Sequence, residues 1–135
     1  MISQTSRYAL HLLGVLCARR GERVGGKELS QLTGIPENYL SKILNQLTKQ
    51  GIVNSQKGWG GGFQLRERAM DQPISAVLGI FEGHEKTEPC DCVFGLPHCD
   101  TDNPCPLHND WETIRNTYTN MITTTKISDL SFTGR

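Results

Sequence analysis

The chain has 135 residues, the usual size of one domain, and a core of this size often depends on a partner chain for stability. Hydrophobic residues make up 36% of it and charged residues 21%, and no apolar run approaches the roughly eighteen residues of a membrane span, which excludes an integral membrane protein. The net charge is zero, but residues 1–66 carry +6 (nine bases, three acids) and residues 67–135 carry −6 (five bases, eleven acids), which favours a polyanionic partner for the first half.

The first predicted helix covers residues 5–21, where apolar side chains recur at helical spacing behind a Ser or Thr cap and before Gly21. The same stretch is the only candidate signal peptide, but His11 interrupts it and no small-residue cleavage site follows Arg19 and Arg20. We therefore expect a core helix of a cytoplasmic protein. Its buried side chains are predicted to be Ala9, Leu12, Leu13, Leu16 and Cys17.

Two more helices and a hairpin are predicted next. KELSQLTG closes at Gly34, and IPENYLSKILNQLTKQG opens a third helix at Pro36 and ends it at Gly51, so that TGIP joins two helices into a helix-turn-helix. IVNSQ then alternates like a strand, KGWGGG has the glycines of a turn, and FQL returns, with Lys57 near the tip. The predicted fold class is mainly α with a small β-hairpin, a winged helix-turn-helix.

The polar face of the third helix is the candidate DNA reader, because base edges and phosphates both require hydrogen-bond donors. In the hairpin, consecutive glycines allow close approach to a groove, and Lys57 is the candidate cation for the minor groove. Trp59 either stacks on sugar edges or packs under the wing. The alternatives are a merely solvated polar face or a protein-binding winged helix. The candidate helix residues are Asn38, Tyr39, Ser41 and Lys42.

Two helices flank the cysteine-rich stretch. DQPISAVLGIFEG at residues 71–83 predicts a short helix that braces the domain. After the cysteines, apolar residues follow steps of four, three, four and three, typical of a coiled-coil seam that pairs with a second copy, although packing against the first helix is the alternative. A homodimer carries two recognition helices, so the expected target is double-stranded DNA with an imperfect palindrome. The seam consists of Leu107, Trp111, Ile114, Tyr118 and Met121.

Four of the five cysteines lie within residues 90–105. Cys92, Cys99 and Cys105 form a Cys-x6-Cys-x5-Cys pattern, and His108 follows three residues later, about one helical turn along the chain. Thiolates and an imidazole suit an iron-sulfur cluster and zinc alike. Structural zinc more often brings Cys-x2-Cys pairs, and a disulfide is the third choice in a reducing cytosol. These residues alone leave cluster and zinc open.

Three stretches carry a resemblance to a known family: RYAL at residues 7–10, YLSKILNQLTKQGIV with KGWGGGFQL within residues 39–65, and the later cysteines with their histidine. They resemble the bacterial family of winged-helix regulators that includes the iron-sulfur cluster regulator IscR and the nitric-oxide-sensitive repressor NsrR. The resemblance spans nearly the whole chain. It departs at Trp59, where relatives often have proline, and at Ser41, where IscR has an acidic residue thought to tune its choice of DNA sites.

The resemblance implies an iron-sulfur cluster rather than zinc, 2Fe-2S first and 4Fe-4S second, and a homodimer with crossed long helices. The family spacing favours Cys92 over Cys90 as the first ligand. Some members use a histidine just after the third cysteine as the fourth ligand, whereas others borrow a carboxylate near the partner's N terminus. The matching position here is Arg7, whose guanidinium has no lone pair to offer. The expected ligands are Cys92, Cys99, Cys105 and His108, and the alternatives for the fourth ligand are a nearby Glu or Asp side chain or Cys90.

The predicted function is a homodimeric DNA-binding transcriptional regulator, not an enzyme, whose DNA affinity is switched by a cluster that senses redox state, iron, cluster supply or nitric oxide. A zinc-bound or thiol-based redox-sensing regulator is the alternative. A cluster-carrying redox protein is disfavoured, because the sequence has no nucleotide-binding glycine fingerprint. The predicted regions are a winged-helix domain (1–82), a cluster-binding loop (83–106), a dimerisation helix (107–126) and a flexible tail (127–135).

Overall fold

A computed structural model describes residues 2–82, 92–94 and 101–132, and it confirms the predicted winged-helix class. None of its helices in these ranges is long and apolar enough to cross a membrane. The two strands pair antiparallel, from Val53 opposite Leu65 to Gln56 opposite Gly62. The elements in chain order are α1 (Gln4–Ala18), α2 (Gly26–Thr33), α3 (Glu37–Lys49), β1 (Val53–Gln56), β2 (Gly62–Leu65), α4 (Ile74–Glu82) and α5 (His108–Thr124).

The main core lies where α1, α2, α3 and the hairpin meet. Apolar residues at helical spacing place one stripe of α1 and one stripe of α3 in this core, so the opposite stripe of α3 is left for polar side chains. The predicted members of α1 are buried apart from Cys17, which is half-buried with its Sγ 3.4 Å from the Ser128 carbonyl oxygen. From α3 the core takes Leu40, Ile43, Leu44 and Leu47.

The turn between α2 and α3 is held by short-range hydrogen bonds. Gly34 ends α2 in the left-handed region, with a φ of 76°, which glycine adopts without steric cost. Ser30 Oγ donates to the Ile35 carbonyl oxygen at 2.6 Å, and the Ile35 N–H donates to Thr33 Oγ1 at 3.2 Å. Ile35 itself is buried, so this connection fixes how α3 leaves the core.

The hairpin is attached to the segment before α2. Val24 and Phe63 exchange two backbone hydrogen bonds of 2.8 and 2.9 Å, which form an antiparallel bridge between the segment before α2 and strand β2. Gly62 sits in this contact, and a Cβ there would lie 2.7 Å from the Val24 carbonyl oxygen. The position therefore requires glycine, and the base of the wing is fixed to the helical body.

Residues 127–132 differ from the predicted flexible tail. Ile127–Leu130 form one turn of 3-10 helix, Ile127 is fully buried, and its N–H donates to the Gln72 carbonyl oxygen at 2.9 Å. The Phe132 N–H donates to the Gly14 carbonyl oxygen at 3.1 Å. Backbone pairing and one buried isoleucine thus make this segment part of the body against α1, and residues 133–135 lie outside the described residues.

Helix α5 is joined to the body through a second, smaller apolar cluster. Ile122 packs with Ile74 and Leu78 of α4, and Tyr118 lies half-buried against them. The Ile74 N–H donates to the Thr125 carbonyl oxygen at 2.9 Å, which ties the end of α5 to the start of α4. In the sequence, the cysteine-rich stretch therefore connects two helices that pack on each other.

Candidate nucleic-acid interface and metal-ligand segment

The outer face of α3 is polar and exposed. Asn38, Tyr39, Ser41 and Lys42 all lie on it, as expected, and Tyr39 is 54% exposed although its ring is large and apolar. Among the described residues, no carboxylate lies within ion-pair distance of Lys42 or of Lys57 in the wing. The face thus presents donors, an aromatic ring and an uncompensated cation on one rigid helix.

The wing tip projects Lys57 and Trp59 into solvent. Trp59 is fully exposed, so the alternative that it packs under the wing is wrong. Gly58 and Gly60 on either side of it have φ values of 91° and 75°, and a Cβ at Gly61 would meet the Gln56 carbonyl oxygen at 2.2 Å. These glycines allow a tight turn, and the Trp59 indole at this turn is not covered by any described part of the chain.

Two arginines of residues 1–66 form ion pairs with glutamates. Arg19 NH1 lies 2.7 Å from Glu28 Oε1, and Arg20 makes a two-point pair with Glu67. Hydrogen bonding to Arg20, with its positive charge, lowers the pKa of the Glu67 carboxyl. Both pairs are exposed and contribute little to stability. Glu28 is already counted in the +6 of residues 1–66, so only Glu67, from outside this range, lowers the net charge on this side of the domain below the sequence count.

A groove of about 530 Å³ runs between the first turn of α1 and the polar face of α3. This contribution of α1 was not predicted, because α1 was expected only as a core helix. The available signal was three polar or aromatic residues, Gln4, Thr5 and Tyr8, at helical spacing off the apolar stripe. Phe81 of α4 also lines the groove, and the lining residues from α3 are Tyr39, Lys42, Ile43 and Gln46.

The predicted metal ligands lie at the entrance to α5 and within the short described segment 92–94. Cys92 is 9% exposed and Cys105 is half-buried. The His108 N–H donates to the Cys105 carbonyl oxygen at 3.1 Å, so the two residues are one turn apart, and the His108 side chain is 11% exposed with Nε2 3.7 Å from Glu112 Oε2. Cys99, and the competing Cys90, lie outside the described residues.

The donor set fits an iron-sulfur cluster or zinc by its chemistry. Two thiols and one imidazole, all at least partly withheld from water, are the soft and borderline donors that these metals prefer. Within the described ranges, no three His, Cys, Asp or Glu side chains converge on one point. The structure therefore places Cys105 and His108 one turn apart at the start of α5, whereas the described ranges do not bring the full predicted set together.

Comparison with known proteins identifies relatives along almost the whole chain. The model of the Rrf2 family, described as iron-dependent transcriptional regulators, matches residues 2–132. A protein of Aquifex aeolicus assigned as an HTH-type transcriptional regulator is 34% identical over 133 residues, covering 96% of this chain and 90% of the relative. The HTH-type transcriptional regulator IscR of Photorhabdus laumondii is 26% identical over 130 residues, covering 96% of this chain and 77% of the relative.

Among solved structures, CymR, the global cysteine regulator of B. subtilis, is similar with a TM-score of 0.74 at 23% identity. The similarity covers 97% of this chain and 95% of that one. At this identity the likeness concerns the fold alone, and it agrees with the helix order and the hairpin described above.

Proposed function

The chain belongs to the Rrf2 family of transcriptional regulators, and from this membership we propose a homodimer whose affinity for operator DNA changes with the state of an iron-sulfur cluster. It is a DNA-binding regulator and not an enzyme, since its matched relatives are transcriptional regulators. The observation that carries the proposal is that a single family match, over residues 2–132, includes both the winged helix and the cysteine-rich segment.

In this proposal α3 enters the major groove. Asn38 and Ser41 supply hydrogen-bonding groups to base edges or phosphates, and Lys42 supplies a cation. Support comes from the separation of faces: every buried residue of α3 is apolar, and the polar stripe is exposed. Tyr39, half in the groove beside α1, contributes apolar contact with sugars or a thymine methyl group.

The wing is proposed to follow the adjacent minor groove. Lys57 adds a cation where the negative potential of DNA is strong, and Trp59 offers an indole that no other described part of the chain covers. A fully exposed tryptophan in water is unfavourable, because it leaves a large apolar area hydrated. Contact with deoxyribose edges removes that area from water, so the exposure of Trp59 supports a binding role.

We propose that α5 pairs with a second copy of the chain. Leu107, Ile114 and Met121 are separated by seven residues each, lie on one stripe of the helix, and are 42%, 48% and 43% exposed. Such a stripe at heptad spacing is half of a coiled-coil seam, whereas Tyr118 and Ile122 are occupied by α4. The dimer places two α3 helices on one duplex, so the expected operator is an imperfect palindrome.

Cys92, Cys99, Cys105 and His108 would hold the cluster, three through thiolates and one through a ring nitrogen, a set that suits 2Fe-2S with one histidine ligand. A bound cluster supplies a centre that oxygen, nitric oxide or iron shortage can damage or remove. Glu112 beside Nε2 of His108 would orient the ring and fix its tautomer, as carboxylates beside metal-bound histidines do. Arg7 stands where some family members have the carboxylate that binds the partner's cluster. It is exposed on α1, and its guanidinium has no lone pair with which to bind a metal.

Anaerobic purification followed by a visible spectrum and by iron, sulfide and zinc analysis tests the cofactor. We expect a coloured protein with iron and sulfide in equal amounts and little zinc. Cys92→Ala, Cys99→Ala and Cys105→Ala should each purify nearly colourless, while Cys17→Ala and Cys90→Ala stay coloured. Zinc without sulfide, or colour that survives all three substitutions, contradicts the cluster and leaves the zinc-bound or thiol-based regulator.

A further inference from the structure

A carboxylate at the end of α4 binds the N-terminal turn of α1. Glu82 Oε1 accepts a hydrogen bond from the Ser3 N–H at 2.9 Å and another from Ser6 Oγ at 2.6 Å, across more than seventy residues of sequence. Ser6 is fully buried, and it is the only polar residue of the described chain that is. Ser3 is the N-cap of α1, and its Oγ accepts from the Ser6 N–H at 3.2 Å.

This arrangement suits a negative charge. The first N–H groups of a helix lack acceptors within the helix, and the helix dipole favours an anion beside them. Hydrogen bonds to an ionised carboxylate are also stronger than those between neutral groups. The first turn of α1 has no acidic residue of its own, so Glu82 supplies the charge from another element.

The same carboxylate lies near α5. Burial, and after it the negative charge of Glu82, raise the pKa of the Tyr118 hydroxyl. Tyr118 packs against the small apolar cluster that joins α4 to α5. Glu82 therefore stands where α1, α4 and α5 meet, and it is the last described residue before the stretch that leads to Cys92.

The first turn of α1 also borders the DNA-facing side of α3. Gln4 and Thr5 lie between Ser3 and Ser6 in the sequence, and both line the groove whose opposite wall includes Tyr39 and Lys42. Phe81, the neighbour of Glu82 in the sequence, also lines that groove. A displacement of Glu82 would thus act on two walls of the groove beside the recognition helix.

We propose that Glu82 is a positioning residue that couples the cysteine-rich segment to the DNA-facing side of α3 through the first turn of α1. The inference rests on the proposed function, because it assumes a cluster whose state alters DNA affinity. With a change of cluster state, the Glu82 carboxylate either keeps or releases Ser3 and Ser6, and the groove wall formed by Gln4 and Thr5 changes with it. Two discrete arrangements of this contact would carry the coupling.

The first test compares dissociation constants for one duplex, obtained by selection from genomic DNA, in cluster-loaded and cluster-free protein of verified iron content. We expect the ratio of the two constants to fall about fivefold towards one in Glu82→Gln and in Ser6→Ala. Glu67→Gln, which removes a carboxylate charge from the exposed pair with Arg20, should keep the wild-type ratio. If Glu82→Gln and Ser6→Ala both keep the wild-type ratio, the role of Glu82 is overturned. If the two dissociation constants are already equal in the wild type, the proposed function itself is overturned.

The second test uses hydrogen exchange, and its first comparison needs only the wild-type protein. In the wild type, the Ser6 and Arg7 amides, which donate to Ser3, should exchange at different rates in the cluster-loaded and cluster-free forms. In cluster-free Glu82→Gln these two amides should exchange about tenfold faster than in the cluster-free wild type. Identical exchange in both comparisons overturns the inference, since the first turn of α1 would then be insensitive to its carboxylate partner.

Discussion

The winged-helix body and helix α5 differ in how their apolar residues are used. In the body, α1 alone buries Leu12, Leu13 and Leu16 almost completely, and the polar surface is left outside. Helix α5 is longer, yet it buries only Ile122 of its residues and leaves Ile114 about half exposed. The body therefore buries its apolar side chains within one chain, whereas α5 leaves exposed apolar side chains that a second chain would cover. Stability and assembly should respond to different substitutions.

The largest effect is expected from a core substitution in the body. Leu12→Ala removes a fully buried side chain and leaves a cavity, which should lower the free energy of unfolding by about 2–5 kcal/mol. Urea denaturation at fixed protein concentration measures this difference. Ile114→Ala, made at an exposed position of similar chemistry, should cost less in the same experiment. An equal cost at both sites would contradict the distinction between the two regions.

Substitution on the exposed stripe of α5 should separate assembly from folding. Ile114→Lys places a charge in the proposed seam of both chains and should weaken dimerisation by about 2–4 kcal/mol, through lost apolar contact and an unpaired charge. Sedimentation velocity over a range of concentrations measures the shift to monomer. Asn116→Lys adds the same charge at an exposed position off the stripe, and it should leave the dimer intact. Dimers of equal strength would place the interface elsewhere.

One glycine of α1, Gly14, lies against residues 127–132 and allows a test of that contact. A Cβ at Gly14 would lie 2.8 Å from the Leu130 carbonyl oxygen and 3.1 Å from Phe132 Cβ, so Gly14→Ala should destabilise the protein by about 1–3 kcal/mol. Gly79 in α4 has nothing within 4 Å of the same position. Gly79→Ala should therefore stabilise by about 0.5–1 kcal/mol. The midpoint temperatures of thermal unfolding of the two variants should shift in opposite directions. Equal shifts would contradict the packing of residues 127–132 against α1.

The smallest loss is expected at the wing. Lys57→Ala should weaken binding to duplex DNA by about 1 kcal/mol and reduce the slope of the logarithm of affinity against the logarithm of salt concentration by about one. Fluorescence anisotropy at several salt concentrations measures both quantities. Lys126→Ala, outside α3 and the wing, should change neither. A loss of affinity with an unchanged slope would argue against a phosphate or minor-groove cation.

Local patterns made the body predictable. Leucines at helical spacing define α1 and α3, Gly34 and Gly51 mark helix ends, and the glycines after Lys57 require a turn, because each signal depends on residues that are neighbours in sequence. The heptad spacing of Leu107 and Ile114 likewise predicted α5. The resemblance added the family and the ligand set, which spacing alone had left open between a cluster and zinc.

The features that sequence reasoning missed depend on contacts between distant residues. Ile127 has only Leu130 and Phe132 as apolar neighbours in an otherwise polar stretch, and its burial accompanies backbone pairing with Gln72. The contact of Glu82 with Ser6 joins positions 76 residues apart, and no periodic pattern marks either of them. Cys99, in turn, lies outside the described residues, so the complete ligand set stays a prediction.

The central claim is that one dimer has two DNA affinities according to its cluster. The direct measurement is the dissociation constant of cluster-loaded and cluster-free full-length protein, under anaerobic conditions and at one salt concentration, for a duplex selected from genomic DNA. Coupling of about 5- to 150-fold between the two forms is predicted, with Cys92→Ala matching the cluster-free form. Equal dissociation constants for the two forms, or a Cys92→Ala variant that matches the cluster-loaded form, would contradict the account.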